Sequence, residues 1–271
     1  MKIAFIGGGN MASALIGGIV KRGTAAPDTL YVIDPNDVSR TKLRETCGVR
    51  TGETVDAALA GYDAIVLAVK PQVLAEVAKT LAPHLGGALV ISIAAGVRAT
   101  DLSRWLGGYA RVVRAMPNTP ALVGMGVTGL AALPGVDAAG RELGSAVLGA
   151  VGETVWFDDE AKLDAVTAIS GSGPAYVFYF IEALQEAARQ LGLNDEQGRA
   201  LAVATFTGAA QLAAQSGEPA GVLRERVTSK GGTTAAALAA FDAHDLKQAI
   251  VRGVLAAEAR ARELGNELGG A

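Results

Sequence analysis

Short apolar runs alternate with amphipathic stretches through the first 160 residues. Lys2–Ile6, Leu30–Ile33, Ala64–Val69, Ala88–Ile93 and Arg111–Arg114 predict strands, and residues 12–22, 38–46, 72–81 and 100–106 predict the helices between them. Val127–Ala132 and Thr154–Phe157 predict two further strands, with a helix over 138–150 between them. Nearly continuous apolar strands alternating with helices imply a parallel sheet covered on both faces. After Asp158-Asp159-Glu160 the pattern changes. Residues 161–169, 174–191, 195–215, 219–227, 233–241 and 245–264 all predict helices, with Gly192, Gly217 and Gly265 placed as their C-caps. Ala200–Gln215 is apolar on most of its surface, and such a helix has to be buried. A helical unit of that size cannot hide it alone, so burial against a second subunit is expected. The expected architecture is an α/β domain over 1–160 and an all-α domain over 161–271.

Chemistry enters first at residues 7–12. Gly7-Gly8-Gly9-Asn10-Met11-Ala12 follows a strand, opens a helix and fits G-x-G-x-x-A. Gly7 permits the tight turn, Gly9 lets a pyrophosphate approach the backbone, and small Ala12 allows close helix–strand packing. Asp34 ends the next strand, where an acid meets an adenosine ribose and ordinarily favours NADH. This is a Rossmann-type dinucleotide site with full context. Val69-Lys70-Pro71 and Ala94-Ala95-Gly96 leave the ends of later strands, which line the ligand crevice of an open α/β sheet. Lys70 reads equally as a surface lysine or as a phosphate partner. Met116-Pro117-Asn118-Thr119-Pro120 is a stiff loop suited to walling a ligand, or simply a rigid turn.

Composition narrows the rest. Half of the 271 residues are apolar, 19% are charged and the net charge is −3, with no basic run, which argues against nucleic acid as a partner. One cysteine, Cys47, excludes an internal disulfide framework and a multi-cysteine zinc site. His84 and His244 lie far apart and read as solvated, so no metal site is expected. Lys2, Ile3–Ile6 and Ala12-Ser13-Ala14 imitate a signal peptide, but Gly7 cuts the apolar run short. No run reaches the ~18 residues of a membrane span. A cytoplasmic protein without membrane partners is expected.

Two small-residue loops interrupt the helical half. Ser170-Gly171-Ser172-Gly173-Pro174-Ala175 has a local explanation in Ser172 as a cap and Pro174 in a first turn. Val227-Thr228-Ser229-Lys230-Gly231-Gly232-Thr233-Thr234 sets hydroxyls and open N–H groups at the start of an alanine-rich helix. That is an N-cap or, since such N–H groups and the helix dipole favour negative charge, an anion site.

Together Gly7–Ala12, Ala68–Pro71, Arg114–Pro120, Ser170–Tyr176 and Val227–Thr234 resemble pyrroline-5-carboxylate reductase, in order from Lys2 to about Leu264. The resemblance implies a Rossmann domain followed by a helical domain that dimerises by interlocking, at least a dimer and in many members a ring of dimers. It implies an active site shared between one subunit's cofactor and the other's helical domain. NADPH is the implied cofactor, with NADH also usable. Its implied binding residues are Gly7, Gly9, Asn10, Met11, Ala12, Asp34, Ala68, Lys70, Pro71 and Asn118. Ser229, Gly231, Gly232, Thr233 and Thr234 would hold the substrate, and the Thr234 hydroxyl would reach the ring nitrogen as the catalytic group. Two departures stand out. Lys230 replaces the family's usual proline, and Ile33-Asp34-Pro35-Asn36 lacks the serine and arginine often present for a 2′-phosphate, a role open to Arg40 or Lys42.

A protonated cyclic imine is already electrophilic, so its reduction to L-proline needs orientation more than a histidine or a buried acid. A β-hydroxyacid dehydrogenase would need a base, commonly a lysine on a helix of the second domain, and residues 174–191 contain no lysine. A nucleotide-binding regulatory protein without turnover is the alternative outside enzymes, against which the hydroxyl-rich loop argues for a substrate.

Overall fold

The structure, a computed structural model, describes residues 1–269. Its chain order begins β1 (Ile3–Ile6), α1 (Asn10–Arg22), β2 (Leu30–Ile33), α2 (Asp37–Cys47), β3 (Arg50–Gly52), β4 (Ala64–Leu67) and α3 (Pro71–Leu81). It continues with β5 (Leu89–Ser92), α4 (Ala99–Trp105), β6 (Val112–Met116), β7 (Gly126–Ala132), α5 (Ala138–Leu148) and β8 (Gly152–Trp156). Helices follow: α6 (Lys162–Val166) running into a π turn at Thr167–Gly171, then α7 (Gly173–Gln190), α8 (Asp195–Ser216), α9 (Ala220–Arg226), α10 (Thr233–Ala243) and α11 (Leu246–Gly269).

All eight strands form one sheet in the order β3-β2-β1-β4-β5-β6-β7-β8. The first six run parallel, as the apolar pattern implies. β7 pairs antiparallel with β6, and β8 runs parallel to β7. Only a short turn at Thr119–Val123 joins β6 to β7, too little chain for a crossover helix, so the strand must fold back. The sheet is buried on both faces. Ile3 and Phe5 of β1 join α1, α2 and α5 in one core, while Ala4 and Ile6 join α3 and α4 in the other.

Those described residues pack as two compact units, 1–172 with 257–269 and 173–256. The first therefore runs past the expected division at 160/161. The reason is an ion cluster. Buried Arg114 on β6 pairs with Glu160 at 3.3 Å and Asp164 at 3.0 Å, and Glu160 also accepts the Ala99 N–H at 2.6 Å. The C-terminal turns of α11 also belong to this unit: Leu268 packs on the second core and Arg98 donates to Asn266 at 2.6 Å. Gly265, expected as a C-cap, lies inside α11 and is buried. The helix continues through it, and a Cβ there would make only ordinary contact with the Arg98 guanidinium at 3.5 Å.

The second unit is helical throughout, and neither large core includes any of its residues. Phe178, Tyr179, Leu201, Leu212 and Leu255 all stand more than half exposed. Among the described residues no helix is long and apolar enough to cross a membrane.

Candidate active site

Helix starts differ in how their N–H groups are met. α3, α4 and α9 start on Lys70, Arg98 and Pro219 without a cap from the N-cap side chain. Others divide by residue type. α2, α5 and α8 begin under side-chain caps from Asn36, Asp137 and Asn194, the last in a full capping box with Gln197. α1 and α10 begin on glycine, Gly9 and Gly232, with no side-chain cap. Their first N–H groups have no acceptor among the described residues, so each leaves the positive end of a helix dipole open.

At α1 the turn is built by its neighbours. The Gly7 N–H donates to Ile33 O at 2.7 Å, and Ala68 N–H donates to Ile6 O at 2.8 Å, prolonging the sheet on both sides of β1. Here the strand order reverses between β1 and β4, the place where open α/β sheets hold ligands. Gly7 has φ +100°, and a Cβ on it would come within 2.7 Å of the Ala68 carbonyl oxygen. No other residue type fits. Gly9 differs: its φ is −68° and a Cβ there would meet nothing within 4 Å. That open space, ahead of free N–H groups, fits a pyrophosphate. Ala12 is buried in the first core, as its small size predicts.

Asp34 is tied into the same turn. One carboxylate oxygen accepts the Gly8 N–H and the other the Asn36 N–H, each at 2.7 Å. Each oxygen keeps a lone pair for a ribose hydroxyl. Arg40 donates to the carbonyls of Asp34 and Pro35 at 2.7 and 3.0 Å and pairs with Asp37 at 3.0 Å. Its guanidinium is thus largely committed to protein. Lys70, at the N-cap of α3 ahead of Pro71, is exposed, and Ala68 and Pro71 are half-buried beside it.

Asn118, expected among the cofactor residues, has its side-chain amide engaged within the protein. It is 9% exposed, its Nδ2 donates to Ser170 O at 3.1 Å and its Oδ1 accepts the Val127 N–H at 2.9 Å. The amide joins three stretches of this chain, and that use was invisible in the sequence because its partners lie up to 52 residues away. Arg114 escaped for the same reason.

In the second unit, Gly231 takes φ +73° and Gly232 donates to Ser229 O at 3.0 Å, forming a tight turn. A Cβ on Gly232 would collide with the Ser229 side chain, which places that hydroxyl over the glycine. Ser229 and Thr233 are exposed and Thr234 is half-buried at the helix start. Lys230 is exposed at the tip of the turn.

Comparison with known proteins covers both units. Residues 160–264 match the family model described as pyrroline-5-carboxylate reductase dimerisation, so the chain carries a dimerisation domain. Residues 2–96 match that described as NADP oxidoreductase coenzyme F420-dependent. The pyrroline-5-carboxylate reductase of Pseudomonas aeruginosa is 44% identical over 99% of this chain and 98% of its own, and that of Haemophilus influenzae 43% identical over 97% of each. Among solved structures, the reductase from Coxiella burnetii is 40% identical with a TM-score of 0.92, covering 97% of this chain and 98% of that one. The Plasmodium falciparum enzyme, solved with NADP bound, is 30% identical with a TM-score of 0.86 over 98% of both. The uncapped glycine turns thus sit in a chain that, by identity over nearly its whole length, belongs to the pyrroline-5-carboxylate reductase family.

Proposed function

We propose that this oxidoreductase reduces 1-pyrroline-5-carboxylate to L-proline, the last step of proline synthesis, with NADPH as cofactor and NADH also accepted. The observation that carries the reading is the pair of uncapped glycine-opened helix starts, one at the strand-order reversal and one in the dimerisation unit. When bound, the reduced nicotinamide supplies the hydride.

Each residue set then has its task. N–H groups of Gly9, Asn10, Met11 and Ala12 receive the pyrophosphate, Asp34 the adenosine ribose, and Ala68, Lys70 and Pro71 border the ribose–nicotinamide end. Ser229, Gly231, Gly232 and Thr233 hold the substrate carboxylate at the positive end of α10. Thr234 donates its hydroxyl hydrogen bond to the lone pair of the neutral imine nitrogen and relays a proton from solvent to it, giving the electrophilic iminium. The imine carbon gains the hydride, the nitrogen keeps a proton, and the C=N bond becomes a secondary amine. No histidine or buried carboxyl is required, because the protonated imine is electrophilic and the protein supplies orientation.

The proposed setting is the cytoplasm, and the proposed assembly a dimer that stacks further into a ring of dimers. Mixing the purified chain with pyrroline-5-carboxylate and NADPH should bleach nicotinamide absorbance in step with proline formation. Bound nucleotide without turnover would assign the chain to a regulatory role instead.

A further inference from the structure

Positions 114, 116 and 118 alternate along and just beyond β6, so their side chains leave the same face of the sheet. All three meet one stretch of chain. Arg114 pairs with Glu160 and Asp164, Met116 packs on Gly171, and Asn118 donates to Ser170 O. The Met116 contact is close: a Cβ on Gly171 would lie 2.6 Å from its terminal methyl. The π turn at Thr167–Gly171 closes with Ser172 N–H donating to Thr167 O at 2.8 Å. Asn118 then adds a third segment, holding the Val127 N–H at the start of β7.

β6 runs parallel to β1, β4 and β5, so Met116–Asn118 lies at the carboxyl end of the sheet with Gly7, Ala68 and Ala94. That end forms the ligand crevice. The loop beyond Asn118 enters the first core only through Ala121 and is otherwise largely open to solvent. Its 3-10 turn at Thr119–Val123 carries exposed Leu122 and Val123, and Met125 is exposed beside them. A buried amide whose donor and acceptor are both committed gives one geometry to such a loop.

We propose that Asn118 is a positioning residue, whose amide fastens the 117–127 loop to the Thr167–Gly171 turn and so fixes the crevice wall at the carboxyl end of β6 without touching the nucleotide. The inference rests on the imine reduction proposed above. It separates Asn118 from the cofactor ligands, because it acts through the orientation of the reacting partners.

Asn118→Asp keeps the acceptor for Val127 but sets a carboxylate oxygen against Ser170 O. Asn118→Ala removes both bonds, and Met116→Ala loosens the same junction from its apolar side. In each variant, kcat/KM for the imine should fall by about ten- to a hundred-fold, as misplacement distant from the chemistry can do. The NADPH Kd, read by nucleotide fluorescence, should stay within about twofold of the parent, since the phosphate site is untouched. Hydrogen exchange should quicken at the Val127 amide in Asn118→Ala and at residues 167–172 in all three, and not across β1 and β4. A weakening of NADPH binding that matches the loss of activity would make Asn118 a cofactor ligand, and unchanged kcat/KM would leave it no role; either overturns the proposal. Should the parent chain not reduce the imine at all, the proposed function fails, while exchange and nucleotide binding still decide whether Asn118 fastens these segments.

Discussion

Asp34 is the residue proposed to choose between the two nicotinamide nucleotides. Its oxygens are steered by Gly8 and Asn36, and Arg40, the nearest candidate to offset a 2′-phosphate, is engaged with Asp34 O, Pro35 O and Asp37. A 2′-phosphate arriving there meets a carboxylate and a guanidinium already paired. Asp34→Ser should therefore raise the NADPH/NADH ratio of kcat/KM by about tenfold or more, the order of one charge-assisted hydrogen bond gained or lost. An unchanged ratio would mean that Asp34 does not face the ribose. Thr234 tests the other unit. Thr234→Ala keeps the helix start and deletes one hydroxyl, so kcat/KM should fall by about ten- to a hundred-fold while NADPH affinity holds. Thr80→Ala removes a hydroxyl that only returns to Glu76 O on α3 and serves as control. Near-normal turnover in Thr234→Ala would reduce that hydroxyl to a helix-end ornament. Residues whose role depends on local spacing, such as Gly7 and Ala12, were legible in the sequence. Arg114 and Asn118 were not, since their partners are brought together only by the fold.

At the scale of elements, the start of α1 gives a test in which folding and binding part company. Gly7→Ala would strain a positive φ and press on the Ala68 carbonyl, so loss of function there says little. Gly9→Ala has room and an ordinary φ, so the melting temperature should hold. Its methyl would occupy the space left for phosphate, and the NADPH Kd should rise by about tenfold or more if close backbone approach is needed. Unaltered nucleotide affinity in Gly9→Ala would remove the pyrophosphate from this turn. Periodicity served well wherever an element buries an apolar face: the strands from β1 to β7 other than β3 fall where the apolar runs lie. β3 was missed because Arg50–Gly52 is a three-residue polar edge strand with no apolar signature. The helix expected over 161–169 breaks into α6 and a π turn, where one long-range hydrogen bond from Asn118 reaches Ser170 O. α11 runs five residues beyond the expected 264 because its end packs against Arg98, Arg104 and the second core.

Across the whole molecule, the two units differ in how they are stabilised. The first has a sheet with a core on each face, while the second leaves long apolar side chains on α7, α8 and α11 in the open. Residues 160–264 match a dimerisation family, so that surface is the one we propose another copy of the chain covers. Light scattering should give a dimer or a multiple of it at every concentration at which the helical signal survives, and dilution below the assembly threshold should lose fold and activity together. A stable, active monomer would contradict the burial argument. The central claim, hydride delivery to a cyclic imine carbon, is tested most directly by isotope. With pyrroline-5-carboxylate and NADPH carrying deuterium at the transferable nicotinamide position, the proline formed should carry a single deuterium on the ring carbon that was double-bonded to nitrogen. Oxidised nucleotide with unlabelled proline, or no proline at all, would contradict it.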